Sequence, residues 1–194
     1  LHRGKWITAF SLLNYAFQNG DNIVVGRILG ASPLGLYQVG YRIATLPGEA
    51  VDSISRVTFP VFAKIGGDKE RLKKAFFKTT GIITLLTFPF GVGLFFFAEG
   101  FVNLFFGSSW LEVVPALKVL AIFGVLRALS FSTSALFLSI KKQEYVTVTT
   151  LVSLVGLGIT IVPLVSRFGI MGGAIAALIG ALASFPVILY YIWR

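Results

Sequence analysis

Four ionisable residues, Arg42, Glu49, Asp52 and Arg56, fall inside one apolar stretch of this sequence. On a helix that turns about 100° per residue they share an arc of about 80°, with Thr45 among them. Asp52 and Arg56 also have the i,i+4 spacing of an acid–base pair. Two arrangements satisfy the pattern. Either Asp52–Arg56 and Glu49–Arg42 neutralise each other and pin the helix to its neighbours, or the stripe lines a hydrated cavity. Four charges on one face exceed what packing requires, so a cavity is the expectation. Pro47 lies among them, lacks an amide donor and crowds the Ile43 carbonyl, which predicts a kink and a candidate hinge.

A second polar set precedes the first. Asn14, Gln18, Asp21 and Asn22 lie within about 100° of one another on a helix and form one face. Arg127 supplies a third, with Ser130 and Ser134 at i+3 and i+7. These residues are expected to line the same cavity as the charged stripe.

The surrounding composition explains why such residues matter. Of 194 residues, 56% are hydrophobic and only 13% are charged, and mean hydropathy is +0.85. A water-soluble domain carries about 25% charged residues. The expected fold class is therefore all-α, a polytopic membrane helix bundle. Each ionisable residue at the centre of a span costs about 2.5–3.5 kcal/mol on insertion scales, so those present are candidates for function. The chain has no cysteine and one histidine, His2, which argues against a thiol nucleophile, a Ser-His-Asp triad or a His-rich metal site. No cofactor or metal is expected, and the chain reads as a non-enzyme.

About 20 apolar residues cross a bilayer, and six stretches qualify. They run from about Trp6 to Gly30, Pro33 to Ala63, Gly81 to Ala98, Val113 to Ile140, Val146 to Val165, and Ile170 to Ile192. Ser32 is the expected N-cap of the second, and Ser109 with Glu112 has capping-box spacing before the fourth. The sixth places Gly172, Ala176, Gly180 and Ser184 at four-residue spacing, a small-residue packing seam. The polar segment at about 66–80 is expected to be an amphipathic cytoplasmic linker, its Leu72, Ala75 and Phe76 face lying on the inner leaflet.

The net charge of +9 comes from 17 Lys and Arg, six of them between Lys64 and Lys78. Placed beside apolar spans, they fit a cytoplasmic face and anionic lipid better than nucleic acid. Putting the N-terminus in the cytoplasm leaves eleven of the 17 basic residues inside, which sets the expected orientation. Residues 1–194 are read as a single six-helix lobe of a longer protein.

The stretch Asp21 to Ile65 carries further marks: Asp21-Asn22 before an apolar run, Gly26-Arg27-x-x-Gly30, Leu34-Gly35-x-Tyr37 and Arg56-Val-x-Phe59-Pro60. With the basic loop and Ser166 to Ala174, these resemble the polysaccharide and O-antigen (teichuronic acid/lipopolysaccharide) flippases of the multidrug/oligosaccharidyl-lipid/polysaccharide exporter superfamily. The resemblance implies two six-helix lobes around a central cavity, this chain matching the C-terminal one. It also implies the cytoplasmic membrane, an undecaprenyl-pyrophosphate-linked oligosaccharide as substrate, alternating access, and polysaccharide polymerase or glycosyltransferase machinery as a partner.

For such a substrate Arg42, Arg56 and Arg127 would neutralise the pyrophosphate, and Asn14, Gln18 and Asn22 would suit sugar hydroxyls. Asp21, Glu49 and Asp52 are the candidates for coupling to H+ or Na+. The alternatives are a cation-coupled drug exporter or a lipid II flippase of the same superfamily. A membrane-embedded glycosyltransferase is less favoured, because the connections are short and the inner one is basic.

Overall fold

The computed structural model describes residues 19–193, and every element among them is helical. Helix α1 occupies residues 19–29 of the described chain. Four longer elements follow: α2 (Ala31–Ile65), α3 (Lys69–Phe106), α4 (Val114–Ser139) and α5 (Gln143–Trp193). A 3-10 turn, Ser108–Val113, joins α3 to α4. In a lipid solvent each backbone N–H and C=O must be satisfied within its own segment, which leaves helices as the economical solution for such an apolar chain.

Three elements among the described residues are long and apolar enough to cross a membrane: Lys69–Phe106, Ser108–Ser139 and Gln143–Trp193. The 35 residues of α2 would also reach across, but Arg42, Glu49, Asp52, Arg56 and Lys64 dilute its apolar character. The 51 residues of α5 are not one rod. At Gly169 (φ 59°, ψ −138°) the chain leaves helical geometry, in a region that glycine alone enters cheaply. Residues 143–168 and 170–193 fold back on each other as a hairpin, with Gly156 against Gly180, and Gly180 against the Ser153 carbonyl. Gly172, Ala176, Gly180 and Ser184 are all buried, so the expected seam is where the two arms touch. Tyr145 and Tyr191 stack at the open end of the hairpin, ring centroids 3.9 Å apart.

Helix α4 is the axis of the bundle, packing against α2, α3 and α5. Its Leu117, Leu120 and Ala121 join Tyr37 and Ala44 of α2, Ala98 and Val102 of α3, and Val165 and Ala174 of α5 in one continuous core. Glycine permits the closest approaches. A Cβ on Gly124 would overlap the Ala44 carbonyl of α2, and one on Gly91 would overlap the Val125 side chain. The outward faces of α3 and α5 carry exposed apolar side chains, among them Leu85, Phe96 and Phe97, and Leu151 and Ile159. That is the expected surface of a bundle solvated by lipid.

Three boundaries differ from expectation. Helix α2 begins at Ala31 after Gly30, which takes φ 91° and caps without any side-chain hydrogen bond. Ser32 is therefore inside the helix, because Gly30 can make the turn at no steric cost. Ser109 and Glu112 form no capping box either: they fall in the 3-10 turn, which has no side-chain cap, and α4 starts with Pro115 in its first turn.

The third correction is the amphipathic linker at about 66–80. Only the turn at 66–68 separates α2 from α3, and Asp68 caps α3 by accepting from the Arg71 N–H. From Lys69 the helix runs unbroken into the apolar span. Leu72 and Phe76 do not lie on lipid but are buried against Phe62 of α2, with Leu136 of α4 and Ile192 of α5 beside them. Within α3 no proline or positive φ occurs before Pro89, so nothing in the sequence ends the helix at Thr79-Thr80-Gly81. Its 38 residues extend about 57 Å, against a hydrocarbon core of about 30 Å. The basic turns stand beyond that core.

The α2–α4 approach has a direct test. Gly124→Ala should lower the thermal midpoint of the purified protein, by about 1–3 kcal/mol of overpacking. Gly93→Ala, with nothing within 4 Å of its new Cβ, should raise stability slightly through helix propensity, by about 0.5–1 kcal/mol. Equal effects from the two would refute the close contact.

Candidate functional site

The structure divides the candidate residues into two constellations where one had been expected. The first is the outward face of α2. Arg42, Glu49 and Arg56 are exposed there and Asp52 is half-buried. The guanidinium of Arg56 donates through Nε (3.0 Å) and Nη2 (2.8 Å) to Oδ2 of Asp52, the expected i,i+4 pair. Their side chains are 79% and 38% exposed, so the pair contributes only about 0.3–0.5 kcal/mol of helix stability. The mutual neutralisation of Glu49 by Arg42 does not occur. Neither side chain makes a hydrogen bond or ion pair among the described residues, whose ion pairs are Asp52–Arg56, Asp68–Arg71 and Lys142–Glu144. The helix remains unbroken through Pro47, with Gly48 beside it packed on Phe131 of α4.

The second constellation is internal and lies about 100–140° around α2 from Arg42, facing α1 and α4. Asp21 of α1 is buried, 5% exposed. Its Oδ1 accepts from the Asn22 backbone N–H (2.9 Å) and its Oδ2 from the Tyr37 hydroxyl (3.0 Å). The rings of Tyr37 and Tyr41 lie 5.9 Å apart. Arg127 of α4 then donates through Nη1 to the Tyr41 hydroxyl, and its guanidinium carbon lies 5.7 Å from the Tyr41 ring, 5.9 Å from Phe123 and 6.0 Å from Phe131. A guanidinium among three aromatic faces is held by the ring quadrupoles, about 0.5–2 kcal/mol per contact. Asp21 and Arg127 attract one another through space without forming an ion pair, the two tyrosines lying between them.

Asp21 therefore faces the helix interface, away from the α2 stripe. Asn22 is half-buried, and its Oδ1 has no hydrogen-bond partner among the described residues. Asn14 and Gln18 lie outside the described residues. Sequence reasoning missed Tyr37 and Tyr41, which connect the acid to the base. Their i,i+4 spacing was a usable signal, because a tyrosine within an apolar bundle needs a partner for its hydroxyl. No group of three His, Cys, Asp or Glu able to hold a metal occurs among the described residues.

An all-helical bundle with apolar outer faces and charged residues on one open face is a polytopic membrane protein. Its chain belongs to the polysaccharide biosynthesis protein family, which matches residues 1–115. It is 36% identical over 140 residues to the lipopolysaccharide biosynthesis protein WzxC of Escherichia coli (strain K12), covering 72% of this chain and 28% of that protein. To the teichuronic acid biosynthesis protein TuaB of Bacillus subtilis (strain 168) it is 38% identical over 127 residues, covering 65% of this chain and 26% of that one. To the succinoglycan biosynthesis transport protein ExoT of Rhizobium meliloti (strain 1021) it is 32% identical over 112 residues, 57% of this chain and 23% of the relative. The matches thus span about a quarter of the length of these relatives. The crystal structure of a MATE point mutant shares the fold, with a TM-score of 0.77 over 93% of this chain and 42% of that chain, at 20% identity.

The acid–tyrosine contact predicts a coupled pair. Tyr37→Phe should destabilise the protein by about 1–3 kcal/mol, because it strips a donor from a buried acceptor. With Asp21→Asn also present, the loss should be smaller than the sum of the singles. Thermal unfolding of the four members of the cycle measures this. Additivity within about 0.5 kcal/mol would show that the two residues act independently.

Proposed function

We propose that this chain is the C-terminal six-helix lobe of a flippase. Its substrate would be an undecaprenyl-pyrophosphate-linked oligosaccharide, an O-antigen or another cell-surface polysaccharide unit, carried across the cytoplasmic membrane. The observation that carries the proposal is the open face of α2. Arg42, Glu49 and Arg56 stand uncovered on it, with Asp52 half-buried beside them, while the outer faces of α3 and α5 are apolar. Exposed charge in a membrane bundle is stable only against water, a polar ligand or another protein surface. A second lobe across a hydrated cleft supplies the first two, and the names of the relatives supply the class of cargo.

In this reading Arg42 is the best-placed anchor for the pyrophosphate, since its guanidinium is uncommitted. Arg56 contributes by sharing its remaining donors while Asp52 holds it. Arg127 keeps donors beyond the Nη1 bond to Tyr41, but it stands half-buried among aromatic rings and is the less accessible anchor. Asn22, with Asn14 and Gln18, supplies hydrogen bonds to sugar hydroxyls. Glu49, Asp52 and the buried Asp21 are the groups through which H+ or Na+ would be coupled to transport. Pro47 is the bending point of α2 as access alternates, and the basic ends of the helices sit at the cytoplasmic surface with the N-terminus. The transported lipid, the bilayer, the N-terminal lobe and the polymerase or glycosyltransferase machinery are the partners, and no covalent chemistry is assigned.

The open face holds two bases and two acids, so it suits a zwitterionic or sugar-bearing anion better than a simple cationic drug. The drug exporter and the lipid II flippase remain the alternatives.

Translocation of lipid-linked oligosaccharide by the full-length protein is the test. Arg42→Ala should reduce flux about tenfold or more, the loss of one charge-assisted contact, and Arg56→Ala and Arg127→Ala should reduce it less. Normal flux in all three variants would refute the cationic anchor. Asp21→Asn should remove the pH or sodium dependence of flux, and an unaltered dependence would exclude Asp21 from coupling.

A further inference from the structure

The N-terminal half of α3 combines two features that the transport reading does not use. One is a concavity of about 480 Å³ on its outer surface, lined by Phe77, Thr80, Gly81, Leu85, Phe88 and Pro89 among others. The other is a pair of exposed lysines, Lys74 one turn before it and Lys78 at its first turn. At about 100° per residue, Lys74, Lys78, Gly81, Leu85 and Phe88 fall within an arc of about 80°. The lysines therefore stand over the mouth of the groove. Neither takes part in an ion pair among the described residues, whereas Arg71 nearby is held by Asp68.

The groove has a chemical reason to exist. Gly81 has nothing within 4 Å of its Cβ position, so the helix surface is hollow there, between the exposed rings of Phe77 and Phe88 and the exposed side chain of Leu85. The hydroxyls along the groove are already satisfied within the protein: Thr80 with Ser132 of α4 (3.1 Å) and Thr84 with the Thr80 carbonyl (2.8 Å). What remains for an occupant is an apolar trough. From Phe77 to Pro89 it runs about 18 Å along the axis, close to the depth of one leaflet of hydrocarbon, about 15 Å.

We infer that this groove is a binding site for one anionic phospholipid, an acyl chain lying along Gly81, Leu85 and Phe88 with the headgroup phosphate between Lys74 and Lys78. Charge complementarity and length select that occupant. A one-leaflet trough with two uncommitted ammonium groups at its surface end matches a two-part ligand, apolar below and anionic above. The inference is independent of what the protein transports.

Native mass spectrometry of the full-length protein, titrated in detergent with phosphatidylglycerol, tests it. One phosphatidylglycerol should be retained per chain, with little retention of phosphatidylcholine. The double variant Lys74→Gln/Lys78→Gln should weaken retention about thirtyfold, the expected effect of removing two lysines near an anionic headgroup. Lys69→Gln/Lys73→Gln removes the same charge from positions about 100–180° away around the helix from Lys74 and Lys78 and should leave retention within about twofold. Gly81→Leu adds a side chain to the trough at a position whose Cβ would meet nothing within 4 Å, and Leu85→Gln makes one exposed wall of it polar, so each should also weaken binding without lowering the thermal midpoint.

Equal losses in the two lysine double variants would overturn the site in favour of diffuse attraction to a basic segment. Retention unaffected by both Gly81→Leu and Leu85→Gln would overturn the groove. Equal retention of phosphatidylcholine, or displacement of phosphatidylglycerol by a polyprenyl phosphate at lower concentration, would overturn the assignment of the occupant.

Discussion

The absence of a side chain at Gly124 lets α4 approach the Ala44 carbonyl of α2, and much of the described structure depends on that approach. One turn away on each helix, Tyr41 and Arg127 meet. One turn further along α2 from Tyr41, Tyr37 reaches Asp21 on α1. A methyl group at position 124 would hold α2 away from α4 and lengthen the Tyr41–Arg127 contact. Pro47 lies close by and leaves the Ile43 carbonyl without its usual helical donor. The α2 backbone is thus pinned by packing just where its own hydrogen bonding is weakest. Close approach at glycine takes the place of hydrophobic exclusion, since lipid offers apolar side chains nearly the same environment as a neighbouring helix does.

The two polar constellations differ in what holds them. The Asp21–Tyr37 contact is buried and the Tyr41–Arg127 contact half-buried, and each charged group keeps a hydrogen bond in a medium where an unpaired one is costly. The tyrosines act as intermediates: each presents an apolar ring to the core and a hydroxyl to a charge. On the open face of α2 the charges meet no such constraint, and only Asp52 and Arg56 are joined. The enclosed set fixes the spacing of α1, α2 and α4, and the open set is free to exchange partners.

Much of this was legible in the sequence. The membrane class followed from composition, the α5 hairpin seam from Gly172, Ala176, Gly180 and Ser184, and the Asp52–Arg56 pair from its spacing. What was not legible depended on tertiary contacts. The periodicity of Leu72 and Phe76 reads identically whether the apolar face meets lipid or Phe62, so the continuous α3 looked like a separate linker. Asp21 seemed to share a surface with the charged stripe because helical angles place residues around one helix and say nothing of how two helices are turned against each other. Tyr37 and Tyr41 were overlooked because a search for ionisable residues passes over the neutral hydroxyls that join them. Gly30 outranked Ser32 as the start of α2 because backbone freedom decided that turn without any side-chain cap.

The unbroken course of α3 has a mechanical consequence. A hinged linker would absorb movement of the span, but a continuous helix transmits it. The roughly 20 residues from Lys69 to the one before Pro89 form an arm of about 30 Å, so a tilt of about 10° about the proline would sweep its basic tip through about 5 Å. Because Leu72 and Phe76 are clamped on Phe62, the end of α2 would be carried along with it. Rearrangement inside the bilayer would then be geared to displacement at the membrane surface, and a load applied to the basic tip would be felt in the bundle.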